Sequence, residues 1–222
     1  SGDFIDVNHK WFEDSSLNIT ENCLDRHLSE RGEKTAIIWE SNDPNEKSVN
    51  ISYSQLHALV CQFSNVLIKK GVKKGDRVCI YMPMVPELAI AVLACARIGA
   101  IHSVVFGGFS ARALADRIDD AKCNMLLTAD STYRGKKEIR LKDIADEAMN
   151  LSSSINNCIT LKRTGNDINM QEGRDSWWHD EIDGVSDKNE ATALNGEDPL
   201  FIPVSYTHLR AHETREDRGG GR

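Results

Sequence analysis

The sequence predicts a doubly wound, mostly parallel α/β sheet flanked by helices, and three observations predict it. Short apolar runs alternate with segments of helical spacing from Ser52 to Leu161. The central runs, above all Arg77 to Met82, are apolar at nearly every position, the pattern of strands covered on both faces. Glycine or proline punctuates the junctions at Gly71, Gly75, Pro83, Pro86, Gly99 and Gly107-Gly108. Strands joined by helices lie parallel with right-handed crossovers, and such sheets hold ligands at the carboxyl ends of their strands.

The elements follow in order. In the mixed, polar residues 1 to 21, Trp11, Phe12 and Leu17 are expected to anchor onto a neighbouring surface. Asn22 to Arg31 has helical spacing, with Leu24, His27 and Leu28 on one side and Gly32 as the stop. Thr35 to Glu40 alternates around Ile37 and Ile38 and reads as a strand, and Ser41 to Val49 as a polar turn through Asp43-Pro44. Ser52 with Gln55 forms a capping box opening a helix whose stripe is Leu56, Leu59, Val60, Phe63, Val66 and Leu67. Lys69 and Lys70 complement its negative end and Gly71 terminates it.

The strand Arg77 to Met82 is followed by a helix over Pro86 to Ile98. That helix starts on a proline and is apolar nearly all round, so it is expected to be deeply buried. Ile101 to Phe106 is the next strand. Ser110 caps a helix through Ala121, with Leu114 and Ile118 facing inward. Met125 to Ala129 reads as a strand, Leu141 to Met149 as a helix and Cys158 to Leu161 as a further strand. From Asn166 to Glu197 the periodicity disappears. Trp177-Trp178 there reads as a loop anchored by its tryptophans rather than a binding platform.

Composition excludes several classes of function. A net charge of −7 with 27% charged residues lacks the basic stripe of a nucleic-acid binder. The longest apolar run, Leu88 to Ala96, is far below the roughly 18 residues of a membrane span. The six cysteines are widely spaced with no Cys-x-x-Cys pair, pointing to a reducing cytoplasm without a disulfide frame or zinc site. No signal-peptide pattern is present, and the opening Ser1-Gly2 suggests that residues before it are missing.

Two segments are candidate sites. Phe106-Gly107-Gly108-Phe109-Ser110 joins a strand end to a helix start, and on the residues alone it is a tight structural turn that could also admit an anion. Tyr133-Arg134-Gly135-Lys136-Lys137 clusters three cations around a glycine after a strand end. It is either a solvated basic loop or a phosphate site, since arginine suits bidentate and lysine point-charge contacts. His102 has no carboxylate partner nearby in sequence and reads as a satisfied core histidine. His9, His27, His57 and His179 lack ligand spacing, and Asp119-Asp120 reads as an exposed helix end.

The wording of Arg77 to Ser110 closely resembles the AMP-forming acetyl-CoA synthetases of the acyl-adenylate-forming superfamily. So do Asn22-Cys23-Leu24-Asp25-Arg26-His27-Leu28, Thr128-Ala129-Asp130, Arg134-Gly135, Trp177-Trp178-His179-Asp180 and Glu197-Asp198-Pro199-Leu200-Phe201-Ile202. The resemblance runs from about Gly2 to Ile202. It implies that residues 22 to 202 are part of the large N-terminal adenylate-forming domain, with residues 1 to 21 an extension packing on it.

The implied reaction joins acetate to ATP as an acetyl-adenylate with release of diphosphate, then passes the acetyl group to coenzyme A with release of AMP. ATP, coenzyme A and Mg²⁺ are the implied substrates and cofactor, and the partners are small molecules, with no nucleic acid and no membrane. Arg134, Gly135, Lys136 and Lys137 match the family loop that holds the coenzyme A phosphates, with Lys136 in place of a glycine. Gly108 is expected to lie against coenzyme A.

The family's ATP-phosphate loop is expected a residue or two after Ile202, and its catalytic lysine on a further domain. No Gly-x-x-x-x-Gly-Lys-Ser/Thr sequence occurs in the chain. Residues 203 to 222 are nearly devoid of apolar side chains and read as a disordered, foreign tail. The chain is therefore expected to be an inactive N-terminal fragment of an acetate–CoA ligase, with no catalytic residue of its own. A propionyl- or other short-chain acyl-CoA synthetase, and a non-catalytic coenzyme A- or nucleotide-binding module, are the alternatives. A dinucleotide-dependent oxidoreductase is disfavoured because no Gly-x-Gly-x-x-Gly follows a predicted strand. The apolar faces of Ser52 to Lys70 and Pro86 to Ile98 are expected to be left exposed.

Overall fold

The computed structural model describes residues 14–43 and 46–203. Trp11 and Phe12, Pro44, and the tail from Val204 onward lie outside the described residues. The centre is a five-stranded sheet, ordered β10-β9-β6-β4-β5, in which every neighbouring pair is parallel. Its strands are β4 (Arg77–Tyr81), β5 (Ile101–Val104), β6 (Met125–Ala129), β9 (Asn157–Leu161) and β10 (Asp175–Trp177). All five residues of β6 are buried, as are four of the five in β4 and in β9, which is why these segments are apolar throughout.

Helices connect the successive parallel strands from β4 to β9. Helix α4 (Pro86–Arg97) carries the chain from β4 outward to β5. Helix α5 (Ala111–Ala121) brings it back past β4 to β6, and α6 (Leu141–Leu151) leads on to β9. Connections from the adjacent strands β4 and β6 thus run in opposite directions, so their carboxyl ends flank the crevice where such sheets take ligands. Helix α3 (Tyr53–Lys69) packs on α4, and α5 packs on α6. No residue of α4 is fully exposed, in keeping with its all-round apolar sequence.

Several local expectations change. The first helical region starts earlier: α1 (Ile19–Cys23) is opened by Asn18, which forms a capping box with Glu21, and it spans the junction of residues 21 and 22. Buried Asn18 also donates through Nδ2 to the carbonyls of Ala96, Arg97 and Thr192, a tertiary anchor that overrides the weak local spacing. The chain breaks at Leu24, makes a 3₁₀ turn over Asp25–His27 and resumes as α2 (Leu28–Arg31).

Strand β2 (Thr35–Trp39) pairs antiparallel with β3 (Val49–Ser52), an element too short and polar to register as a strand in sequence. Likewise β1 (Ser16–Leu17) pairs with β11 (Leu194–Asn195). The Trp177-Trp178 segment is not a loop. It forms β10 and α7 (Trp178–Ile182), and buried Trp178 stacks on Phe63 with ring centroids 3.6 Å apart.

The apolar faces of α3 and α4 are covered, contrary to expectation. Leu56, Val60, Phe63, Val66 and Leu67 are buried, because α3 packs on α4 and α7. Among the exposed apolar side chains, Val104, Phe106, Phe201 and Ile202 gather at the edge of the sheet. Phe201 forms a parallel bridge to His102, and the Ile202 amide donates to the His102 carbonyl at 3.0 Å.

Candidate functional site

The site is built outward from the carboxyl end of β6. Asp130 immediately follows that strand, is buried, and accepts backbone N–H bonds from Ser131 (2.7 Å), Arg163 (2.9 Å), Thr164 (3.1 Å) and Gly165 (2.7 Å). Burial alone would raise its pKa; the four donors outweigh it and hold the carboxyl below the usual range. The clamp ties the exit of β6 to the turn after β9. The Asp130 carbonyl also accepts the Lys142 amide at 3.2 Å, so the residues between leave and re-enter the body at one point.

What projects from that point is a hairpin, β7 (Thr132–Arg134) paired antiparallel with β8 (Lys137–Ile139). Sequence reasoning read this segment as a loop, because three-residue strands carry no usable alternation. The turn is Gly135-Lys136. Gly135 has φ +62°, and among the described residues Lys122 is the one non-glycine with positive φ, so Lys136 has ordinary backbone geometry. Glycine first and an unrestricted residue second is the type II′ hairpin pattern. Lysine at this second turn position therefore introduces no backbone strain.

The register sets Arg134 directly opposite Lys137. Like charges across a strand pair are destabilising unless something offsets them. Among the described residues the side chains of Arg134, Lys136 and Lys137 donate to no protein acceptor, leaving the cations at the hairpin tip uncommitted.

Facing the hairpin is the turn between β5 and α5. Ser110 caps α5 by accepting the Ala113 amide at 3.3 Å, and buried Tyr81 donates its hydroxyl to the Phe109 carbonyl at 2.9 Å. A side chain on Gly107 would come within 3.6 Å of Leu141, the first residue of α6. A methyl group on Gly108 would fall 2.6 Å from the Phe106 ring, so glycine lets that ring fold over the turn.

Gly108, Arg134, Lys137, Glu138, Ile139, Arg140, Asp143 and Ile144 line an open cleft of about 460 Å³. The cleft brings Gly108 together with Arg134 and Lys137. Gly135 and Lys136 are not among the residues lining it; Gly135 shapes the turn, and Lys136 adds exposed charge beside it. Arg140 and Asp143 escaped the sequence reading. The available signal was four cations among seven residues, from Arg134 to Arg140.

Two other constellations are not sites. His57 Nε2 lies 3.4 Å from Asp25 and 3.6 Å from the Cys61 sulfur. Nδ1 lies 3.9 Å from the same sulfur, so the ring turns an edge toward Cys61 and aims neither nitrogen squarely at the thiol. Burial also raises the Cys61 thiol pKa, the reverse of an activated nucleophile. Asp25 instead takes both ends of the buried Arg97 guanidinium, at 2.9 and 3.0 Å. His102 is buried as expected but not satisfied: its Nδ1 has no partner, its ring stacks on Phe201, and burial lowers its pKa to about 4.

Comparison with known proteins shows a match to the family described as AMP-binding enzyme over residues 24–207. The chain belongs to the AMP-binding enzyme family. It is similar to proteins named acetyl-coenzyme A synthetase from Desulfatibacillum aliphaticivorans, 56% identical over 89% of this chain, and from Escherichia coli K12, 53% identical over 88% of it. The chain spans 30% of the length of each. A protein of the same name from Nostoc linckia is 54% identical, and the chain spans 58% of its length. The fold matches acetoacetyl-CoA synthetase from Streptomyces lividans with a TM-score of 0.78, over 87% of this chain and 29% of that one, at 24% identity. This likeness supports the doubly wound architecture expected from the sequence.

Proposed function

We propose that this chain is part of an AMP-forming acetate–CoA ligase, and that its cleft holds the phosphates of coenzyme A. The relatives' shared name supplies the activity. The observation that carries the site is the pair of uncommitted cations, Arg134 and Lys137, set opposite each other across the hairpin and facing Gly108. Their mutual repulsion is relieved by an anion between them, and the arginine fork and lysine point charge suit phosphate oxygens. Gly108, on the facing side of the cleft, lets the Phe106 ring fold over its turn. The position at the carboxyl end of β6, beside the crevice between β4 and β6, is where doubly wound sheets take nucleotides.

In this reading residues 22 to 202 belong to the AMP-binding domain and residues 1 to 21 form an extension that precedes it, working in the cytoplasm on acetate, ATP and coenzyme A. The portion described here orients coenzyme A by its phosphates. Mg²⁺ would neutralise charge on ATP during adenylation. Among the described residues no group of three or more His, Cys, Asp or Glu side chains is placed to hold a metal ion, so we assign none of them to it.

The reading is tested by titration calorimetry of the 222-residue chain with coenzyme A and, separately, with NAD. Coenzyme A is expected to bind and NAD not to. Arg134→Ala removes a charge-assisted contact of about 1.5–3 kcal/mol, so its affinity should fall about tenfold or more. Heat from NAD alone, or an unchanged affinity in Arg134→Ala, would refute the assignment.

A further inference from the structure

Arg140 lies outside the family loop but lines the cleft with Arg134 and Lys137. Its guanidinium is held along one edge. Nε donates to Asp143 Oδ2 at 2.5 Å, while Nη2 donates to Asp143 Oδ1 at 3.5 Å and to the Asp167 carbonyl at 2.8 Å. None of these bonds uses Nη1, which keeps both of its N–H groups. A carboxylate among the lining residues should repel a phosphate, yet both of those present are engaged by the protein: Asp143 by Arg140, and Glu138 by the Asn166 side-chain amide.

We propose that Arg140 is a third cation for the ligand's phosphates, with Asp143 as the residue that orients it. This rests on reading the cleft as the coenzyme A site. An i,i+3 pair on an open helix face would be an incidental surface contact. Arg140 differs in that a carbonyl from the loop after β9 is a second partner fixing the guanidinium, and Arg140 itself lines a cleft holding two uncommitted cations. Arg140 also covers the Asp143 charge, so losing it both removes a donor and exposes an anion.

The experiment measures affinities of the chain for coenzyme A and 3′-dephospho-coenzyme A at low salt, where exposed charges are least screened. Arg140→Gln should weaken coenzyme A about tenfold. Arg140→Lys, which keeps the charge, should recover part of that loss. Arg140→Gln combined with Asp143→Asn should bind better than Arg140→Gln alone, because no bare carboxylate then faces the ligand. A loss confined to coenzyme A assigns Arg140 to the 3′-phosphate, and an equal loss with both ligands assigns it to the diphosphate; either supports the proposal. Wild-type affinity in Arg140→Gln, while Arg134→Ala loses binding, would overturn this inference alone. Equal losses in Arg140→Gln and Arg140→Lys, with matching drops in melting temperature, would overturn it too, reducing the pair to a helix-start contact. Absence of coenzyme A binding by the parent chain would instead remove the underlying reading.

Discussion

Two residues decide the character of the site before any ligand is considered. Gly135 has no heavy atom within 4 Å of where a side chain would start, so its glycine answers to backbone angle and not to space. Gly135→Val should therefore cost about 1–2 kcal/mol through left-handed strain, seen as a lower melting temperature and weaker coenzyme A binding. Lys136→Gly, at the unrestricted turn position, should change stability by less than about 0.5 kcal/mol. His102 is the residue that departs most from expectation. Its folded pKa, near 4, lies below the ordinary value of about 6.5, so the fold favours the neutral ring. The stability this contributes is present above pH 6.5 and is lost as pH falls toward 4, to an upper limit of about 3 kcal/mol. Melting temperatures between pH 7 and 4.5 should fall in the parent chain and stay nearly level in His102→Phe. Parallel curves would show that His102 does not titrate in this range.

Among the elements, α6 matters most because its first turn supplies Arg140, Asp143 and Ile144 to the cleft. A buried charge cluster holds it in place. Lys142, fully buried, lies 2.9 Å from buried Asp175 in β10 and 2.6 Å from Asp146 one turn on, and it donates to the Asn169 carbonyl at 2.8 Å. Arg174 bridges Asp146 and Asp175 from the other side, at 2.7 and 2.6 Å. Removing one partner leaves buried charge uncompensated, so Lys142→Met should cost about 3–5 kcal/mol in denaturant unfolding. A loss under about 1 kcal/mol would show that the cluster does not fix α6. The same network explains why β10, unrecognisable from its three residues, adds to the sheet: Asp175 is drawn there by cations on α6 and its own neighbour.

At the scale of the whole molecule, four carboxylates that tie elements together share one electrostatic sign. Burial raises the pKa of Asp25, Asp130, Asp175 and Glu181, and in each case hydrogen bonds, joined by neighbouring cations at all but Asp130, outweigh it and lower the value. Their contribution is present above the unfolded values near 4 and lost as pH falls through the folded ones. Acid unfolding of His102→Phe should therefore begin only below about pH 4.5.

The parallel sheet, its crossover helices and the cation run were legible in the chain itself, because apolar periodicity and glycine or proline punctuation are local properties. The helix α3 with its Ser52 cap, the strands β4, β6 and β9, and Arg134 beside Gly135 all follow from neighbours in sequence. Contacts between distant residues decided the rest. Asn18 reaches carbonyls 78, 79 and 174 residues away, Trp178 finds Phe63, and Asp130 gathers the amides that hold the hairpin base. Arg140 joins the cleft only because Asp143 and the Asp167 carbonyl orient it. Local pattern records which face a segment buries; which side chains meet across the molecule depends on how the sheet brings those segments together.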